Sequence, residues 1–402
     1  MEETWAASAL WVSLALASSL VSIRLAISVA LVEIVVGAVA GNTIGLEPTA
    51  WANYLAGAGA ILLTFLAGAE VDPAVIRKHF WPSMTIGAMG FAAPFAGVLA
   101  WTHWVSGWPW PQAEIAGISL STTSVAVVYA VMVETGYNRT ELGKVVLAAC
   151  FVNDLGTVLA LGVLFANYDA WLAVFGGATA LAMVAMPRVA PWFFRRVGGR
   201  VSEPETKLVL AVLFGLGALA CRAKSEAVLP AYLIGMVMAP CFLAEKVLAH
   251  RMRVIAFALL TPFYFLKAGS LVRFDTVVSA AGLVGVLLGV KMLTKFAGIW
   301  PLTRTFRFKA REGMFTILLM STGLTFGTIS ALFGLTNGII SQEQYTVLVT
   351  AVIGSAVVPT VIAQKWFQPK TAGEDGEAED AQEGAGGARR VGGVVQGASG
   401  GA

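Results

Sequence analysis

The amino-acid sequence predicts an all-α protein that crosses a membrane many times. Of its 402 residues, 57% are hydrophobic and only 13% are charged, whereas a soluble domain carries about 25% charged residues. Apolar runs of about 20 residues, the length that crosses a bilayer as a helix, recur along the chain. The formal net charge of +3 gives no indication of a nucleic-acid partner. The composition therefore indicates a polytopic membrane protein.

The apolar runs are separated by Gly, Pro and charged residues, and they predict thirteen transmembrane helices. We expect these spans near residues 5–22, 26–45, 53–70, 81–103, 113–135, 142–166, 170–192, 206–221, 228–243, 252–270, 276–300, 311–333 and 344–363. An odd number of spans places the two termini on opposite sides of the membrane.

Lysine and arginine residues are concentrated in the connections that follow odd-numbered spans. The connections that follow even-numbered spans hold only Arg222, Lys224 and Arg273. Because basic loops stay on the cytoplasmic side, we expect the N-terminus outside and the C-terminus in the cytoplasm, in the cell (inner) membrane. Residues 370–402 are rich in Gly, Ala and acidic side chains, which predicts a disordered cytoplasmic tail.

Thirteen helices divide into two six-helix units joined by a single helix, and one joining helix inverts the second unit relative to the first. Ser, Thr and Gly cluster at matching positions, in "SLSTTSVAV" of the fifth span and "LMSTGLTFGT" of the twelfth. Hydroxyl groups can satisfy the backbone of an interrupted membrane helix, although small residues at a helix contact give a similar pattern. The pattern favours two inverted repeats with broken helices at the fifth and twelfth spans.

Asp154, within "CFVNDLGT", is the only charged residue between Val145 and Ala166. A carboxylate at the centre of such a stretch costs about 3 kcal/mol on insertion scales, so a functional role is the default interpretation. It can hold a proton or a hard monovalent cation such as Na⁺, but not both, and this competition would couple the two ligands. A structural hydrogen bond or ion pair that fixes helix packing is the alternative.

Five more charged residues lie within or beside the predicted spans. Lys291 and Lys295 of the eleventh span share one helix face; Lys291 is the deeper of the two, and Lys295 lies where a lysine commonly extends to the membrane surface. Glu33 is expected to pack between helices, with a funnel or subunit contact as the alternative. Arg311 and Glu312 are expected either to form a capping or gating ion pair or to mark a plain cytoplasmic boundary.

Five segments, in this order along the chain, resemble motifs of the monovalent cation:proton antiporter-2 family of bacterial sodium/proton and potassium/proton exchangers. The resemblance covers about residues 20–368. It is carried by "ALVEIVVGAVAG", "AILLTFLAGAEVD", "STTSVAVVYAVMVETG", "VVLAACFVNDLGTVLAL" and "KMLTKFAG".

The resemblance implies a fold in which the two broken helices cross, a homodimer, and an elevator-like movement of a core domain against a dimerisation domain. Residues 1–369 would form the antiporter domain. Its parts would be core helices at about 81–166 and 276–363, dimerisation or scaffold helices at about 5–70 and 206–270, and a linker helix at about 170–192.

By position, the resemblance assigns Asp154 as the carboxylate that binds cation and proton. Thr123 would line the site from the unwound segment, with Ser124 completing a Thr-Ser match. Lys291 matches the family lysine by its spacing from Leu, Phe and Gly, and Lys295 is the second choice.

The chain departs from the family pattern at Asn153, because electrogenic relatives carry two consecutive aspartates there. Lys291 would therefore lack an acidic partner. We expect electroneutral exchange of one proton per cation, with Asn153 supplying a carbonyl ligand or a hydrogen bond without titrating. If Lys291 itself titrates and loses its proton when sodium binds, transport would remain electrogenic.

Na⁺ or Li⁺, exchanged for H⁺, is the expected cargo, and K⁺ is the alternative because potassium-coupled relatives share this architecture. Potassium-efflux members usually carry a cytoplasmic nucleotide-binding domain, which residues 370–402 do not resemble. A sodium-coupled organic-anion symporter would need more polar residues near the broken helices, and a non-transporting receptor would not need Asp154. Since no catalytic set, metal cluster or phosphate-binding loop is recognisable, neither an enzyme nor a cofactor is expected.

Overall fold

The computed structural model describes residues 2–25, 28–70, 73–134, 137, 140–165, 170–223, 225 and 227–369. The predicted tail at 370–402 and Lys224 lie outside these ranges. The described residues form helices without strands. The helices are α1 (Glu2–Leu25), α2 (Val29–Thr43), α3 (Ala50–Ala69), α4 (Pro73–Lys78), α5 (Phe80–Ala100), α6 (Trp110–Ser121), α7 (Val125–Glu134), α8 (Glu141–Leu164), α9 (Ala170–Val197), α10 (Pro204–Arg222), α11 (Val228–Ala244), α12 (Lys246–Ile255), α13 (Thr261–Ser270), α14 (Phe274–Ser279), α15 (Ala281–Thr305), α16 (Ala310–Met320), α17 (Thr325–Thr336) and α18 (Gln342–Ile362).

Within the described ranges, ten helical segments are long and apolar enough to cross a membrane, and α2 and α11 are shorter apolar helices. The pair α6 and α7 occupies the predicted fifth span. Helices α12 and α13 join through a π-helical turn at Ala256–Leu260 and together make one span. The all-α polytopic architecture is therefore confirmed, while the count of thirteen and the inverted repeat stay predictions.

The fifth and twelfth predicted spans are both interrupted, at 122–124 and at 321–324. The same pair of hydroxyl residues stands at each interruption. Ser121 and Thr122 donate to carbonyls at the end of α6, at 2.8 and 3.1 Å. Ser321 and Thr322 donate to carbonyls at the end of α16, both at 2.7 Å. Since the last carbonyls of a helix lack intrahelical partners, these hydroxyls explain why each helix can stop inside an apolar environment.

Packing divides the helices into two groups. The scaffold group contains α1–α3 and α9–α13, in which α2 packs along α13 and α3 along α11. The core group contains α4–α8 and α15–α18, in which α5 packs against both α8 and α15. The short helix α14 connects the groups, and the principal remaining contact between them joins α8 to α11.

Glycines set the spacing within the scaffold group. A Cβ atom at Gly37 or Gly269 would overlap the facing backbone in the α2–α13 contact. A Cβ atom at Gly68 or Gly235 would do the same in the α3–α11 contact. Small residues allow membrane helices to approach this closely, so both scaffold contacts depend on having no side chain at these positions.

Candidate ion-binding site

The two helix interruptions lie against each other in the centre of the core group, where they form a crossing. The backbone N–H of Ser124 donates to the Thr322 carbonyl at 2.9 Å. The Thr123 hydroxyl donates to the Met320 carbonyl at 2.7 Å, which links the first interruption to the end of α16. Non-helical backbone at membrane depth is tolerated only when its polar groups find such partners. These bonds hold Thr123 in a fixed position beside α8.

Helix α8 carries Asn153 and Asp154 to this crossing. It begins at Thr140, whose hydroxyl accepts from the Gly143 N–H at 3.1 Å as an N-cap. Asp154 is 1% exposed and Asn153 is fully buried. The Asn153 amide donates to the Ser121 carbonyl at 3.3 Å. This bond ties α8 to the end of α6.

Two buried oxygens at the crossing have no hydrogen-bond donor among the described residues. They are Asn153 Oδ1 and Asp154 Oδ1. Buried polar atoms are nearly always satisfied, so an unsatisfied one requires an explanation. A carboxylate oxygen and an amide oxygen are suitable partners for a hard cation, and the carboxylate can alternatively take a proton.

A cavity of about 550 Å³ leads to Asp154 and Thr123. Its walls come from both groups, with α3, α11 and α12 on the scaffold side and α7, α8 and α17 on the core side. Three charged residues also line it, namely Glu70, Lys144 and Arg253. All three are at least partly exposed, and Glu70 and Arg253 form an ion pair at 2.6 Å. They mark the mouth of the cavity, whereas the nearly inaccessible Asp154 lies at its closed end.

Lys295 is the lysine that faces this site. It is fully buried, and its ammonium donates to the Thr123 hydroxyl at 2.8 Å. The expectation that Lys295 extends to the membrane surface is therefore wrong. Lys295, the second choice for the family lysine, is the one that bonds to Thr123. In the structure Thr123 accepts from Lys295 and donates to Met320, which uses both functions of its hydroxyl.

Lys291 lies one turn from Lys295 on α15, beside the interruption at 321–324. It is also fully buried, and it donates to the Ser355 hydroxyl of α18 at 2.9 Å. The Ser355 oxygen lies 2.8 Å from the Val352 carbonyl and 3.3 Å from the Gly323 carbonyl. A side chain at Gly323 would collide with the Lys291 amine. The sequence offered no sign of Ser355 beyond a lone serine in an apolar helix.

The other predicted site residues lie elsewhere. Glu33 is 2% exposed on α2, in the scaffold group, and does not line the cavity. Ser124 does not line the cavity either; its side chain accepts from the Val127 N–H at 3.5 Å at the start of α7. Glu312 accepts from the Lys309 N–H at 2.9 Å as part of a helix cap, and Arg311 donates to the Trp366 carbonyl at 3.2 Å. Arg311 and Glu312 thus contact backbone groups, and the described ion pairs do not include one between them.

The chain is similar to known cation antiporters in sequence and in fold. The chain is 23% identical to the Na⁺/H⁺-K⁺ antiporter GerN of Bacillus cereus, over 87% of this chain and 92% of GerN. It is 24% identical to a Na⁺/H⁺ antiporter of Enterococcus hirae, over 87% and 94% of the two chains. The solved structure of the sodium proton antiporter MjNhaP1 from Methanocaldococcus jannaschii superposes with a TM-score of 0.69 at 12% identity, covering 91% of this chain and all of that one. This likeness shows the fold.

The model of the transmembrane sodium/hydrogen exchanger family matches residues 11–367. This confirms the resemblance to bacterial cation:proton antiporters that the five sequence segments indicate. The chain is a multi-pass membrane protein that belongs to the sodium/hydrogen exchanger family.

Proposed function

We propose that the protein exchanges Na⁺ or Li⁺ for H⁺ by alternating access, with Asp154 as the carboxylate that binds each of them in turn. One observation carries the proposal: a nearly inaccessible aspartate with an unsatisfied oxygen lies at the end of a cavity between two helix groups. A buried carboxylate in a membrane is costly unless it has a partner. A cation arriving through the cavity provides that partner.

Coupling follows from the presence of a single carboxylate. A sodium ion that loses its water needs the negative charge of Asp154 and oxygen ligands from its neighbours. A proton on Asp154 removes that charge, so each ligand must leave before the other binds. Thr123 lines the same end of the cavity, and its bonds to Lys295 and to Met320 hold it in place.

Asn153 supports an electroneutral stoichiometry. Its amide is buried beside Asp154 and donates to Ser121, while its carbonyl oxygen remains available as a ligand. An amide does not titrate. One cation would therefore cross in one direction and one proton in the other, provided that Lys291 and Lys295 keep their protonation states through the cycle.

The position of the cavity supports movement of the core group against the scaffold group. Asp154, Thr123 and both interruptions belong to the core group, and the cavity separates this group from α3, α11 and α12. A displacement of the core group along the scaffold would carry the site from one side of the membrane to the other. By the positive-inside rule the mouth with Lys144 and Arg253 faces the cytoplasm of a cell-membrane protein. A homodimer would use the scaffold group as its fixed interface.

Potassium is the second candidate cargo. The observation that favours it is the similarity of the chain to GerN, a Na⁺/H⁺-K⁺ antiporter. Neither the Asp154 carboxylate nor the Asn153 carbonyl selects between alkali cations by charge. The distinction between them rests on cavity size and the number of ligands.

Proton flux in liposomes tests the proposal. Purified protein is reconstituted with a pH-sensitive dye inside, and NaCl, LiCl, KCl or choline chloride is added outside across a range of pH. Sodium and lithium should drive proton movement, and choline should not. An imposed membrane potential should leave the rate and the final gradient unchanged. A response to potential would refute one-to-one exchange, and absence of flux with all three alkali cations would refute the antiporter proposal.

A further inference from the structure

The C-terminal end of α13 is completed by side chains of a different helix group. The last four carbonyls of a helix have no intrahelical partner, and in an apolar environment each needs one. Within α13, the Lys267 carbonyl accepts from the Ser270 hydroxyl at 3.0 Å. The next carbonyl, Ala268 O, accepts from the Tyr345 hydroxyl at 2.6 Å. The donor is on α18, so a core helix caps a scaffold helix.

A second side chain of α18 makes the same kind of contact. The Gln342 amide donates to the Leu271 carbonyl, just beyond the end of α13. Tyr345 and Ala268 are both fully buried. The two bonds therefore fasten the first turn of α18 to the end of α13, and the Tyr345–Ala268 bond is inaccessible to water.

This contact lies across the membrane from the cavity mouth. Arg253 lines the mouth and belongs to α12. Helix α12 continues through the π-helical turn into α13, and Ala268 lies 15 residues further along. At 1.5 Å per residue that distance is roughly 22 Å. The cavity is thus open at one end of the interface between the groups, and the capping bonds close the other end.

We propose that Tyr345 and Gln342 form a far-side seal that holds the core group in its cavity-open position and sets the balance between the two access states. The proposal rests on the alternating access proposed above. When the far side opens, the bonds to Ala268 and Leu271 break and water takes their place. These carbonyls thus have partners in both positions of the core group: side chains of α18 when the seal is closed, and water when it is open. Because the contact has two alternative sets of partners, one substitution in it can shift the balance between the two access states.

Tyr345→Phe removes the hydroxyl donor and keeps the ring. It leaves the Ala268 carbonyl unsatisfied only while the seal is closed, so it should shift the population towards the state in which the cavity is closed. A reporter cysteine at Ala126, an exposed position in the cavity wall, measures that population. The natural Cys150, Cys221 and Cys241 are replaced first, and the detergent-solubilised protein is treated with a hydrophilic maleimide. We expect the ratio of cavity-open to cavity-closed protein to fall about five- to tenfold in Tyr345→Phe, the effect of losing one buried hydrogen bond, and the labelling rate to fall by up to the same factor.

Two glutamines on α18 provide a matched comparison. Gln342→Ala removes the bond to the Leu271 carbonyl, which joins the two groups, and should also slow labelling. Gln344→Ala removes a bond of 2.7 Å to Gln112 of α6 and the bond of 2.9 Å that Gln344 accepts from the Ser341 N–H at the start of α18. Because both bonds lie within the core group, this variant should leave the labelling rate unchanged. Thermal unfolding of each variant shows that it is folded.

The seal is refuted if Tyr345→Phe and Gln342→Ala both label at the unsubstituted rate, or if Gln344→Ala slows labelling equally. Labelling does not require transport, so the two proposals fail separately. Cation-driven proton flux without a labelling shift leaves exchange standing and removes the seal. A labelling shift without flux by any alkali cation supports the seal as a conformational contact and removes the exchange mechanism.

Discussion

Lys295 and Lys291 lie one turn apart on α15, and both are fully buried, yet they belong to different surroundings. Lys295 bonds to Thr123, whose surface lines the cavity beside Asp154. Lys291 bonds to Ser355 at the second interruption, and neither Lys291 nor Ser355 lines the cavity. On the Lys295 side, Asp154 has an unsatisfied oxygen and lines the cavity. The difference teaches that an unsatisfied polar group beside a cavity, rather than burial alone, marks the proposed ion-binding side of the crossing.

The strongest test of this comparison removes the charge on the cavity side. Asp154→Asn keeps the shape of the side chain but cannot take up a proton or neutralise a cation. We expect sodium-driven proton flux to fall to the level of empty liposomes. Asp275→Asn, at an exposed aspartate paired with Arg273, is the control and should retain full flux. Flux in Asp154→Asn would show that another group carries the ions.

Separate substitutions of Lys295 and Lys291 test whether the two lysines affect ion exchange differently. Lys295→Gln removes the positive charge that bonds to Thr123 at the same end of the cavity as Asp154, so the carboxylate should hold protons and cations more tightly. The pH–rate profile in liposomes should move to more alkaline pH by about one unit, equivalent to roughly 1.4 kcal/mol. Lys291→Gln should move it much less. Equal displacement in the two variants would remove the distinction between the two sides.

Asn153→Asp places a second carboxylate on the cavity side. It should take a second proton and make the exchange respond to membrane potential, with about 2.3 kcal/mol of driving force per charge for each 100 mV. Flux under a potassium-diffusion potential imposed with valinomycin measures this effect. Wild-type protein should not respond. A variant that remains insensitive would show that Asn153 does not determine the stoichiometry.

On the Lys291 side, Ser355→Ala should have a moderate effect. It removes the hydroxyl that accepts from Lys291, at a cost of about 1 kcal/mol. The melting temperature should fall slightly, and the exchange rate should fall a few-fold. Thr350→Ala is the matched control on α18, because its hydroxyl bonds only to the Thr346 carbonyl of the same helix. Loss of all exchange in Ser355→Ala would instead place Ser355 in the ion-binding site.

The smallest effect is expected at the cavity mouth. Glu70 and Arg253 form an ion pair in which the side chains are 42% and 52% exposed, and exposed pairs contribute about 0.2–1 kcal/mol. Glu70→Gln should therefore change the half-saturating sodium concentration by less than about fivefold, and less still at high ionic strength. A larger change would extend the ion-binding region from Asp154 to the mouth.

The sequence predicted the two interruptions and drew attention to Asp154 because each leaves a local signal. A Ser-Thr pair inside an apolar run can bond only to nearby carbonyls, and a single carboxylate in such a run has few structural uses. The sequence did not show which of Lys291 and Lys295 bonds to Thr123. In α15 almost every neighbour is apolar, so helical periodicity does not show which face meets the crossing. Ser355 and Tyr345 were not predicted, since only the fold brings the Lys291 ammonium to Ser355 and the Ala268 carbonyl to Tyr345.

The glycine contacts in the scaffold group have a mechanical consequence. With Gly37 and Gly269 between α2 and α13, and Gly68 and Gly235 between α3 and α11, backbone lies directly on backbone. Close-packed interiors have low compressibility, so these helix pairs resist deformation as a unit. If the core group moves as proposed, this rigid scaffold would confine the displacement to the surface between the two groups, and an ion gradient would move the core group without bending its support.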